Sequence, residues 1–97
     1  MLIRTVRMTF QEDKVEDFLK VFEESKEKIR GFEGCEHLEL HRDYHVPNIF
    51  STYSIWLNDE ALDNYRHSEL FKGVWKNTKA LFKEKPVAFS NRRHIVV

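Results

Sequence analysis

The stretch Ile49 to Leu57, IFSTYSIWL, carries no charged side chain, although Asp, Glu, Lys and Arg make up 33% of the chain. Its β-branched and aromatic content predicts a strand. Strand side chains alternate between faces, so Phe50 and Trp56 share one side while Ile49, Tyr53, Ile55 and Leu57 share the other. An uncharged strand is one covered on both faces. The rest of the chain must therefore form a layer over one face and leave something else to cover the other.

That layer is legible as two helices. Val15, Phe18, Leu19 and Phe22 recur at helical spacing and predict an amphipathic helix to about Arg30, entered through Glu12 and Asp13 and ended by Gly31 and Gly34. The second helical region begins at the N-cap Asn58, and a further N-cap at Ser68 predicts a break near His67. Leu70, Phe71, Val74, Trp75, Thr78, Leu81 and Phe82 then form one stripe that is expected to end near Lys85, ahead of Pro86.

Strands account for the remainder. Leu2 to Phe10 alternates with Leu2, Val6, Met8 and Phe10 on one face; Cys35 to Arg42 sets Leu38 and Leu40 against His37, Glu39 and His41; Val87 to Val97 is the expected last strand. The order strand, helix, strand, strand, helix, strand is a split βαβ pattern: an α+β, ferredoxin-like βαββαβ sandwich with two helices on one face of an antiparallel sheet. Those helices leave the other face open. A second copy of the chain, packed sheet on sheet, is the expected cover, with the last strand running onto the partner.

The chain of 97 residues forms one domain, 1–97, with no linker and no repeat. Sixteen basic and sixteen acidic residues cancel, so there is no basic stripe for nucleic acid. No stretch approaches the length of a membrane helix. The single Cys35 allows no internal disulfide, and the start MLIRTVRMTF lacks the apolar run of a signal peptide, so a cytoplasmic setting is expected.

Several side chains are candidates for chemistry. His67, at the helix break, could point into a cavity, where an imidazole of pKa about 6.5 accepts a proton; the plain alternative is a solvated loop residue. Tyr65 follows Leu62 at helical spacing, and Tyr53 lies mid-strand, where it either meets a substrate oxygen or packs in an interface. Trp75 reads as packing, and Trp56 as either packing or pocket wall. His37, Glu39 and His41 share a strand face, but a rise of about 3.3 Å per residue holds the two histidine backbones about 13 Å apart, so no metal site is expected. His37 alone remains a candidate base. Cys35, with no adjacent Lys or Arg, reads as a small buried residue.

The run FxGCxHLEL from Phe32 to Leu40, the strand ending in Trp56, DEALxxYRxSELF from Asp59 to Phe71, and KALFxExP from Lys79 to Pro86 together resemble the antibiotic biosynthesis monooxygenase family over nearly the whole chain. The resemblance implies a dimeric α+β barrel with a pocket between sheet and helices in each subunit. It further implies cofactor-independent oxidation, by O₂, of a small aromatic hydroxylated molecule of the quinol or phenol type. In that reading Trp56 and Tyr65 contact the ring, Tyr53 is a further substrate contact, and His67 or His37 accepts the phenolic proton. Members that oxidise polycyclic quinols place an asparagine and a tyrosine where this chain has Thr52 and Leu62, and haem-degrading relatives place an asparagine where it has Met8. The competing expectation is a non-catalytic dimeric barrel that binds a small hydrophobic ligand or serves a stress-related role.

Overall fold

A computed structural model describes all residues, Met1–Val97. Strand β1 (Leu2–Thr9) leads through a 3-10 turn at Glu12–Lys14 into helix α1 (Val15–Arg30), followed by β2 (Cys35–Arg42) and β3 (Ile49–Trp56). Helices α2 (Asp59–Arg66) and α3 (Glu69–Lys79) precede β4 (Val87–Asn91). The sheet order is β2-β3-β1-β4, with every neighbour antiparallel. This is the predicted ferredoxin-like sandwich. None of its helices is long and apolar enough to cross a membrane.

The helix break falls where the two caps predict it. Asn58 Oδ1 accepts from the Ala61 amide at 2.8 Å and Ser68 Oγ accepts from the Phe71 amide at 3.1 Å, so each helix starts on its own side-chain acceptor. His67 is the residue that ends α2.

Two boundaries differ from expectation. Helix α3 stops at Lys79, well short of Lys85, because the next stretch of backbone is drawn to the end of β1: Gln11 N donates to Leu81 O at 3.0 Å and Lys83 N to Thr9 O at 2.8 Å. These bonds replace the helical ones that the apolar stripe alone would favour. Strand β4 stops at Asn91 instead of Val97, because its ladder partner begins at Leu2: Ile3 pairs with Asn91, and β1 has almost no backbone left to pair with residues beyond it. Ile95 and Val96 are consequently exposed.

Register assigns the faces. Leu2 lies opposite Trp56, Arg4 opposite Ser54, Val6 opposite Thr52 and Met8 opposite Phe50, all toward the helices. Two apolar clusters form there. One gathers Ile29, Cys35, Trp56, Ala61, Leu62 and Tyr65, and the other Met8, Phe10, Val15, Phe18 and Phe50. Trp56 and Phe10 are the most deeply buried large side chains.

Gly34 is the hinge of the first cluster. Its φ of +88° belongs to the left-handed region, and a Cβ there would stand 2.5 Å from the Ala61 Cβ. Its carbonyl also accepts from Leu57 N at 2.8 Å, which fixes the exit of β3 into α2.

Candidate functional site

Between the inner sheet face and the helices lies a cavity of about 380 Å³. Apolar side chains from every layer build it, among them Val6 and Met8 from β1, Phe18, Phe22 and Ile29 from α1, and Leu62, Phe71, Val74 and Trp75 from α2 and α3. The volume suits a small ring system, and the composition is that of a typical ligand site, mostly apolar with few polar groups.

Trp56 and Tyr65 form one wall. Their rings stack at 4.9 Å between centroids with an interplanar angle of 24°, the tryptophan from the end of β3 and the tyrosine from the inner side of α2. Trp56 Nε1 donates to Ser54 Oγ at 3.0 Å, which fixes the indole plane. Phe32 packs edge-on against both rings, and Tyr65 meets Phe71, which in turn stacks on Trp75 at 5.8 Å. Trp75, expected to be simple packing, therefore also lines the cavity. Burial pushes the Tyr65 phenol far above its ordinary value, with the nearby Cys35 adding to the effect. Tyr65 therefore presents a protonated hydroxyl on the cavity wall.

The other sequence candidates stand elsewhere. His37 and Tyr53 share the outward face of the sheet, since strand alternation puts them opposite to Leu38 and Ser54. There the two histidines clasp one carboxylate: His41 Nε2 lies 2.8 Å from Glu39 Oε1, and His37 Nε2 bonds Glu39 Oε2. Tyr53 stacks on His41 at 5.8 Å and meets His37 edge-on. The hydrogen bonds from His41 and then His37 hold the Glu39 carboxyl below the usual range. Although the histidine backbones are far apart, their side chains thus converge, yet on Glu39 itself.

His67 also lies outside the cavity. Its ring nitrogen Nδ1 is 2.8 Å from Asp63 O, and its side chain is 76% exposed. The same carbonyl accepts from the His67 amide at 3.1 Å, so backbone and imidazole fold back together along the helix end and the ring does not turn inward. Cys35 is buried, as expected, and burial raises its thiol pKa.

Two cavity residues were not among those the sequence pattern singles out. Arg4 and Arg66 line it, and they are its only charged side chains. The signal for Arg4 was present: it breaks the run of Leu2, Val6 and Met8 on the apolar face of β1. Arg66 carried no such signal, because it ends an amphipathic helix where a basic residue suits the dipole.

Comparison with known proteins places this architecture. The model of the family described as antibiotic biosynthesis monooxygenase matches residues 1–77. A crystal structure of an antibiotic biosynthesis monooxygenase superposes with a TM-score of 0.92 at 20% identity, covering 98% of this chain and 100% of that one. A conserved protein from Methanosarcina mazei superposes at 0.90 with 20% identity over 97% and 94% of the two chains. A protein from Pseudomonas aeruginosa gives 0.86 at 21% identity over the same shares, 97% and 94%. No match is found among curated protein sequences. The family model spans most of the chain, and the chain belongs to the antibiotic biosynthesis monooxygenase family.

Proposed function

We propose that this protein is a cofactor-independent monooxygenase that oxidises a small aromatic hydroxylated molecule, of the quinol or phenol type, with O₂. The observation that carries the reading is the Trp56–Tyr65 stack facing an apolar cavity of about 380 Å³. An electron-rich ring, once deprotonated, can itself reduce O₂: one oxygen atom enters the ring, the other leaves as water, and the substrate supplies the electrons. The protein's part is to hold the ring against Trp56 and Tyr65, keep water out, and stabilise the anion.

No imidazole, carboxylate, thiol or lysine lines the cavity. In this mechanism the proton passes to a base supplied by solvent, and His37, His67 and Tyr53, which stand outside the cavity, have no direct role. The decisive experiment is oxygen uptake by the metal-free protein with a panel of hydroquinones and polycyclic phenols. Uptake that falls at least tenfold in Trp56→Ala under conditions where circular dichroism shows it folded, and that survives in the double variant His37→Ala/His67→Ala, supports the reading. An absence of uptake across the panel from folded protein refutes it.

A second reading has one observation in its favour. The same lack of an acid or base in the cavity suits a non-catalytic barrel that binds a small hydrophobic ligand. Tight ligand binding without turnover distinguishes it.

The assembly proposed with either function is a homodimer. Members of the family are generally dimeric. Here the outward sheet face presents Ile3, Ile49, Tyr53, Ile55 and Phe89, and Phe89 is 45% exposed. A second copy would cover that face and dock the exposed Ile95 and Val96. A cytoplasmic setting rests on the single reduced Cys35.

A further inference from the structure

We propose that the cavity selects an aromatic anion, a flat ring system carrying a carboxylate or an ionised phenol, and that Arg4 and Arg66 together bind its negative group. The inference deepens the monooxygenase reading by naming the charge of the substrate, and it rests on that reading only for the identity of the pocket.

The charge balance of the cavity wall motivates it. Among the lining residues there are two guanidiniums and no carboxylate, and the rest of the wall is neutral and mainly apolar. Arg4 has no carboxylate partner, and Arg66 has one, at the helix surface. Arg4 comes from the inner face of β1, between Ser54 on β3 and Ser90 on β4, and its Nη1 donates to the neutral Ser90 Oγ at 3.1 Å. Arg66 reaches Asp63 Oδ1 with one nitrogen at 3.4 Å, and its side chain is 40% exposed. An exposed, single-contact ion pair of this kind is weak and easily exchanged for another anion.

The two cations also act on each other. Burial, and after it the Arg66 charge, holds the Arg4 guanidinium below its ordinary value. An anion placed between them removes the like-charge repulsion and gains charge-assisted hydrogen bonds that a neutral isostere cannot make. A charge on the apolar face of a strand also weakens the packing around it, and its compensation in this arrangement is a ligand. The apolar remainder of the cavity, lined by Trp56, Tyr65 and Trp75 among others, takes the aromatic body. A guanidinium is a permanent cation, so a site built from two of them can favour the ionised form of a ligand without a base of its own.

Calorimetric binding of naphthoate and of its neutral isostere naphthamide tests this directly, with naphthol as a third probe for an ionised phenol. The expected result is naphthoate binding about tenfold tighter than naphthamide at low salt, a preference that shrinks as salt is raised. It should collapse toward parity in Arg66→Gln and in Arg4→Gln. Arg66 is half in solvent, so its variant keeps the fold if Arg4→Gln does not, and Arg4→Lys should restore part of the preference. Phenolate absorption from bound naphthol at neutral pH identifies the second source of the same charge. Equal binding of naphthoate and naphthamide with no phenolate signal overturns the proposal, as does a preference that survives in both folded Gln variants. Oxygen uptake with uncharged hydroquinones is read separately, so loss of anion selectivity and loss of the oxygenase reading are told apart.

Discussion

Trp56 stacks on Tyr65 across the junction between β3 and α2, with ring centroids 4.9 Å apart. The stack depends on Gly34, whose carbonyl accepts from Leu57 N just past the tryptophan and whose missing Cβ leaves room for Ala61 on α2. Wall, helix entry and turn are therefore one construction, and damage to any one of them should reach the others.

Replacing Trp56 by Ala removes the most buried aromatic of its cluster and orphans its bond to Ser54. The expected cost is about 3–5 kcal/mol by denaturant unfolding, and Trp56→Phe should recover much of it. If Trp56→Ala unfolds at the wild-type denaturant midpoint, the indole is not structural.

Gly34→Ala combines a left-handed φ of +88° with a 2.5 Å approach to Ala61. The variant should lose more than about 2 kcal/mol, since αL strain and the clash add. Adding Ala61→Gly relieves only the clash, so the double variant should sit between the two; full recovery would mean the backbone angle costs nothing.

The caps that split the second helical region are independent of each other. Asn58→Ala and Ser68→Ala should each cost about 1 kcal/mol in thermal or chemical unfolding. Ser68 Oγ also donates to Tyr65 O at 2.6 Å, so its loss should loosen the aromatic wall as well, which near-ultraviolet circular dichroism would record.

Tyr65 makes stability depend on alkaline pH. Its phenol is held above the ordinary value of 10.0, so above that pH the unfolded chain releases a proton that the folded one keeps. Stability should fall as pH rises past about 10, by up to about 1.4 kcal/mol per pH unit, while below it the group contributes no pH dependence. Subtracting the unfolding curve of Tyr65→Phe from that of the wild type isolates this contribution. Parallel curves for the two proteins would show that Tyr65 is not held protonated.

Ile55→Lys places a charge on the outward sheet face, opposite Ile3 and His37. In the proposed homodimer that charge must be taken out of water, so light scattering should show a shift from dimer toward monomer. A wild-type protein that is monomeric at micromolar concentration would remove the sheet-on-sheet assembly from the proposal.

The element order, the inner and outer faces of the strands, and the helix break at Ser68 were all legible in the residues alone. Each comes from local rules, period-two and period-3.6 patterning and side-chain capping, that need no distant partner. The sequence also marked Trp56 and Tyr65 as rings near one place. The tertiary structure alone decided where α3 and β4 stop, because those ends are set by backbone bonds to Thr9 and Gln11 and by the start of β1. It alone turned His67 back onto Asp63 and His37 onto Glu39, since a titratable residue's type does not tell which acceptor it will meet. And it alone brought Arg4 and Arg66 to one cavity, from opposite layers of the sandwich. Chain-distant charges converge only when a strand and a helix pack, a relation no local pattern encodes.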